Sequence, residues 1–94
     1  MLQFEYDPAK DQKLRSERSI NFDEIILLIS DGFVLDVLDH PNQERYPGQK
    51  IYALDVDGYV WLVPFMHIEG KIFLKTAFPS RKLTKKYLEK KHDQ

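Results

Sequence analysis

Between residues 22 and 29 the apolar positions recur at helical spacing. Phe22, Ile25, Ile26 and Ile29 stand at i, i+3, i+4 and i+7 and share one stripe. Asn21 precedes the stripe as an N-cap, Asp23 and Glu24 fill the first turn where the helix dipole favours anions, and Asp31-Gly32 ends the run. Upstream, Asp7-Pro8 reads as an N-cap followed by proline at the first helical position, which predicts a short helix over residues 8–17. That helix has almost no apolar face and must lean on another element. From residue 33 the period drops to two. Phe33, Leu35 and Val37 then fall on one face and Asp36 on the other, the pattern of a strand. Residues 40–48 are a polar loop rich in turn formers. A second strand follows over residues 50–56, and Asp57-Gly58 between apolar runs signals a tight hairpin. The third strand, residues 59–66, is apolar throughout, as expected of burial on both faces. Pro64 works against that, because it removes a ladder donor, and it predicts a bulge nearby. Glu69-Gly70 turns into a fourth strand over residues 71–78, and a last helix opens after Ser80.

This order predicts one α+β domain spanning residues 1–94. Two N-terminal helices pack on a four-stranded antiparallel sheet, residues 4–6 can add a short edge strand, and a basic helix closes the chain. Hairpin connections make the sheet antiparallel, and the helices are expected on one of its faces.

Charge changes this picture. From residue 71 onward there are 8 Lys/Arg against 2 Asp/Glu, whereas residues 1–70 hold 6 against 13. The formal net charge of −1 therefore conceals a strongly polar molecule, with a polyanion as the expected partner of the basic end. The chain has no cysteine, which excludes disulfides and thiolate metal sites and fits a reducing compartment. The first residues show no secretory pattern, and the longest apolar run is too short to span a bilayer. A soluble cytoplasmic protein with no membrane partner is the expectation.

The candidate chemistry gathers at the basic end. Ser80 reads as the N-cap of the last helix, so Arg81 and Lys82 occupy its first turn, where the dipole opposes cations by about 0.3–1 kcal/mol each. A bound anion would reverse that sign, which points to a phosphate; a solvated lysine-rich helix that aids solubility is the plainer reading. Lys75 alternates with Leu74 and projects between Phe73 and Ala77, either as a snorkelling surface residue or as a cation aimed into a groove. Lys85, Lys86, Lys90 and Lys91 extend the cluster, and Tyr52, Tyr59, Trp61, Phe73 and Tyr87 are interleaved rings of the kind that either pack in cores or stack unpaired bases. Of His40, His67 and His92, none has ligand-like neighbours, so neither a metal site nor a cofactor is expected. His67, at a hairpin tip, is either an exposed turn residue or a general acid or base.

The opening Phe4-Glu5-Tyr6-Asp7-Pro8-Ala9-Lys10 and the later Ile20-Asn21-Phe22-Asp23-Glu24 resemble the start of BrnT-type toxins, which carry a Phe-Glu-Trp/Tyr-Asp-x-x-Lys segment and then a Val/Ile-Ser-Phe-Glu-Glu segment. Gly48-Gln49-Lys50 and Arg81-Lys82-Leu83-Thr84 resemble later elements of that family. The resemblance implies a RelE-like fold and the toxin of a type II toxin–antitoxin pair. Such a toxin is a metal-independent endoribonuclease that cleaves mRNA, on or off the ribosome, and blocks translation, and a DNA-binding antitoxin neutralises it. Phosphate stabilisation is then expected of Lys75, Arg81 and Lys82, and proton transfer of His67, Glu44 or Tyr87. Backbone contacts are expected of Lys50, Lys85, Lys86 and Tyr87. A non-catalytic RNA- or protein-binding module of the same fold is the alternative, and a structural protein whose basic helix docks on an acidic partner is the third.

Overall fold

Residues 3–89 are described by the structure, a computed structural model, so Lys90, Lys91 and His92 of the expected basic end lie outside the described residues. The elements run β1 (Gln3–Tyr6), α1 (Pro8–Arg18), α2 (Phe22–Ser30), β2 (Val34–Asp39), β3 (Lys50–Val56), β4 (Tyr59–Ile68), β5 (Lys71–Leu74), β6 (Phe78–Pro79) and α3 (Arg81–Thr84), which passes into a π-helical turn at Lys85–Glu89. The fold is α+β, with a six-stranded mixed sheet.

The helix starts follow from the caps. The Asp7 carboxylate accepts from the Ala9 N–H at 2.8 Å, satisfying a donor that the helix itself leaves free. The Asn21 side chain accepts from the Glu24 N–H at 2.9 Å and donates to the Glu24 carboxylate at 2.6 Å, a reciprocal pair in the manner of a capping box. The short polar α1 leans on α2 through one buried carboxylate. Asp11 accepts from the Phe22 N–H at 2.8 Å and from Arg15 Nε at 2.8 Å, while Leu14 supplies the helix's buried apolar contact. From α2, Phe22 and Ile25 are fully buried, and Ile26 and Ile29 pack at the edge of the same core.

The sheet corrects the expectation of four antiparallel strands. Its order is β1-β5-β4-β3-β2, with β6 pairing to β4 beyond the end of β5. β1 runs parallel to β5, from Gln3 opposite Lys71 to Tyr6 opposite Leu74. No hairpin joins these two strands; the intervening helices and strands form a long connection, which is what a parallel pair requires. The expected fourth strand is also split. The β4–β5 ladder stops at Phe65–Leu74 and resumes at Leu62–Phe78, leaving Lys75, Thr76 and Ala77 opposite only Val63 and Pro64. Pro64 accepts from the Lys75 N–H at 2.8 Å but has no N–H of its own to return on that side. The predicted irregularity at Pro64 therefore lies in the neighbouring strand, and Pro64 itself is buried in a central one.

Both faces of β4 are covered, as its apolar run predicts. Tyr52, Leu54, Val63, Phe65, Ile72 and Leu74 meet Leu14, Ile20, Phe22 and Ile25 in the main core. On the opposite face stand Ile51 beside Pro64 and Ala53 beside Leu62, with Asp36 beside Ala53 on β2. The C-terminal segment lies over this second face, not beside α1 and α2. Thr84 Oγ1 accepts from the Val60 N–H at 2.8 Å, and the Tyr87 hydroxyl donates to Asp36 at 2.6 Å. The expectation that all helices share one face is thus corrected. So is the shared face of Phe33, Leu35 and Val37: a bulge between Val34 and Asp36 breaks the alternation, Val34 turns to the core, and Phe33 and Val37 stay 46% and 47% exposed.

Candidate functional site

The split between β5 and β6 opens one wall of a groove. Lys75, Thr76 and Phe78 form that wall, His40, Pro41, Tyr46 and Gln49 the facing one, and Ile51, Leu62 and Pro64 the floor, with Lys10 of α1 at the rim; the volume is about 560 Å³. Two ammonium groups and an imidazole line it, and no carboxylate does, in a chain with 15 acidic residues. Coulomb energy inside such a recess favours an anion, because the apolar floor limits screening by water.

Hydrogen bonds hold the loop that carries the second wall. The Gln43 amide donates to the carbonyls of His40 at 2.8 Å and Gln49 at 3.1 Å, and accepts from the Gly48 N–H at 3.0 Å. The His40 N–H closes the base of the loop on the Gln49 carbonyl at 3.0 Å. The His40 ring packs against Tyr46 at 4.4 Å between centroids, and its Nδ1 accepts from the Asn42 N–H at 3.0 Å. Acceptance at Nδ1 assigns the proton of the neutral ring to Nε2. The Arg45 guanidinium lies 5.6 Å above the Tyr46 ring, a cation–π contact at the outer side of the loop.

Lys75, expected as a phosphate-stabilising cation, is in this groove. Arg81 and Lys82 are exposed at the start of α3 and do not line it. Ser80 caps them as predicted, accepting from the Leu83 N–H at 3.2 Å, at the start of a helical run that passes from α3 into the π-helical turn. Lys85 and Lys86 are exposed on the π-helical turn, where Lys86 sits 5.3 Å over the Tyr87 ring. Tyr87 gives its hydroxyl to Asp36; that bond holds the phenol above its ordinary range and the Asp36 carboxyl below its own. Lys50 pairs with Asp39 at 2.8 Å, and since its neighbour Ile51 floors the groove, strand alternation turns Lys50 to the other face. His67 is exposed opposite Ile72, beyond Pro64 on β4, and does not line the groove. The structure therefore brings Lys75 together with Lys10 and His40, and sets Lys50, His67, Arg81 and Lys82 elsewhere. Among the rings, Tyr52 stacks on Phe65 at 4.1 Å inside the core, where burial pushes its phenol up.

Sequence reasoning missed Lys10, His40 and Tyr46 as site residues. Lys10 lines two further grooves. One, of about 510 Å³, runs along α1 past Lys13 and Arg18 and also holds Asp7 and Glu17; the other, of about 350 Å³, contains Lys75 together with the carboxylates of Glu5 and Asp7. Its signal was its place in the Asp7-Pro8-Ala9-Lys10 opening, which reads first as a helix start. His40 reads as the start of the polar 40–48 loop, and the closure of that loop by Gln43 is not visible in composition. Among the described residues, no three His, Asp or Glu side chains gather into a group able to hold a metal ion. No helix among them is long and apolar enough to cross a membrane.

No protein-family model, no curated protein and no solved structure matches this chain.

Proposed function

We propose that this chain is an RNA-cleaving toxin of the BrnT kind, built on a RelE-like fold, that cuts mRNA in the cytoplasm and is silenced by an antitoxin partner. The observation that carries the reading is the groove at the β5–β6 split, where Lys10, Lys75 and His40 converge and no carboxylate intrudes. The resemblance of residues 4–10 and 20–24 to the opening of that family supports it independently.

The chemistry suited to this groove needs no metal. A wall without carboxylates offers a hard divalent cation no charged oxygen ligand, whereas two lysines suit a phosphodiester directly. In the proposed step the 2′-oxygen of a nucleotide bonds to its own 3′-phosphorus and the bond from phosphorus to the next 5′-oxygen breaks. The 2′-hydroxyl proton passes to water and water protonates the departing 5′-oxygen, while the His40 Nε2–H donates a hydrogen bond to a phosphate oxygen. Lys75 and Lys10 stabilise the charge that builds on the non-bridging oxygens. The products are a 2′,3′-cyclic phosphate and a 5′-hydroxyl, with atoms and electrons conserved.

Purified protein in chelator with end-labelled single-stranded RNA tests this reading. Cleavage leaving a cyclic phosphate, lost in Lys75→Ala and in His40→Ala, supports it. RNA binding without cleavage favours the second reading, a module acting by occupancy, to which the presence of only one imidazole and no carboxylate in the groove also lends weight. Absence of both binding and cleavage at low salt removes both readings.

A further inference from the structure

A second surface has the opposite chemistry. No Lys or Arg occurs between Arg18 and Arg45, while Asp23, Glu24, Asp31, Asp36, Asp39 and Glu44 all fall there. The fold places part of this stretch over a shallow groove of about 250 Å³ between α2 and the end of β3. Its apolar lining is Leu27, Leu28 and Val56, and its rim is Glu24, Asp31 and Asp57, three carboxylates and no cation. Leu27 is 62% exposed, the most open of the large apolar side chains among the described residues. Phe33, 46% exposed, is anchored beside this groove: its N–H donates to the Leu28 carbonyl at 3.0 Å and its carbonyl accepts from the Asp55 N–H at 3.0 Å.

Two physical features of this surface ask for a partner that is both cationic and apolar. Asp31 is the C-cap of α2, where the helix dipole is negative, and no basic residue in the last turn offsets it. An aliphatic side chain as open as Leu27 gains free energy only when another apolar surface covers it. A ligand satisfying both carries aliphatic anchors flanked by Lys or Arg. We infer that the α2–β3 groove is the docking seat for a basic, leucine-bearing peptide segment of a partner protein. This surface shares no residue with the basic groove, so the two can be occupied together and tested apart.

The test is an amide-resolved NMR titration of the full chain with two synthetic amidated 14-residue peptides. One carries Leu at helical i, i+4 spacing and the other Leu at alternate positions, with Lys at the remaining charged sites of both; versions with Glu in place of Lys serve as controls. The expected result is saturable binding of a Lys peptide with shifts centred on Leu27, Leu28, Val56 and Asp57. Affinity should weaken at least tenfold in Leu27→Lys and, separately, in Asp31→Lys, both at exposed positions where the fold tolerates the change. No binding of either Lys peptide, equal binding of the Glu versions, or shifts centred on another surface overturns the inference. So does concentration-dependent self-association that Leu27→Lys abolishes, which would assign the surface to a second copy of this chain.

Discussion

Replacing Asp11 with alanine tests how a nearly all-polar helix is held to the core. Asp11 is 8% exposed, and its two oxygens are committed to the Phe22 N–H and to Arg15 Nε, each at 2.8 Å. The substitution leaves the Phe22 N–H buried without an acceptor, which costs about 1–3 kcal/mol. It also removes a half-exposed ion pair, which contributes about 0–1 kcal/mol. A total near 2–3 kcal/mol is a large share of the roughly 5–14 kcal/mol available to a domain of this length. The midpoint of thermal unfolding should fall by about 10–20 °C. Burial alone would raise the Asp11 carboxyl; the bonds from Arg15 and Phe22 outweigh it and hold the carboxyl below its ordinary value. The associated stability is therefore present above the usual carboxylate range and is lost as pH falls through the depressed folded value. Urea unfolding followed by Trp61, half-buried against the core, should show the wild-type advantage at pH 7 and its decline in acid. A difference below about 0.5 kcal/mol at pH 7, or one that does not change with pH, would refute this account.

Thr84→Val should destabilise by about 1–3 kcal/mol, because Thr84 is the buried acceptor for the Val60 N–H; a denaturant midpoint equal to wild type would contradict it. Tyr87→Phe should release the C-terminal turn from β2, seen as faster amide exchange in residues 85–89 with β3 and β4 unchanged. Because Asp36 holds the Tyr87 phenol above its usual value, the stability tied to that bond should be full below the ordinary tyrosine range and disappear as pH rises through the elevated one, a loss absent in Tyr87→Phe. Lys75→Ala should lower RNA cleavage by about 10²–10³-fold, while Lys71→Ala, which removes the same charge from β5 outside the groove, leaves it within about twofold.

The local signals were legible and the long-range ones were not. Asp7, Asn21 and Ser80 cap the helices they were expected to cap, because an N-cap is decided within four residues. Strand β3 falls at residues 50–56 as read, since Asp57-Gly58 fixes where it must turn. The parallel pairing of β1 with β5 joins segments almost 70 residues apart and leaves no local mark. Pro64 predicts a bulge nearby; the ladder breaks in the strand beside it, at residues 75–77, where the groove wall bearing Lys75 stands. The bulge at Val34/Asp36 similarly undoes an alternation that Phe33, Leu35 and Val37 display in the sequence. Within the site, Lys75 was recognisable as a charge among apolar neighbours. Lys10 and His40 were not, because α1 and the 40–48 loop reach it only through tertiary structure.

The most direct check on the central claim is an NMR titration of the intact chain with a short single-stranded RNA whose 2′-hydroxyls are methylated, so that it binds without being cut. The account predicts shifts concentrated at Lys10, His40, Tyr46, Gln49, Lys75 and Thr76, with affinity falling as salt rises. Shifts centred on Arg81, Lys85 and Lys86, with that set silent, would contradict it.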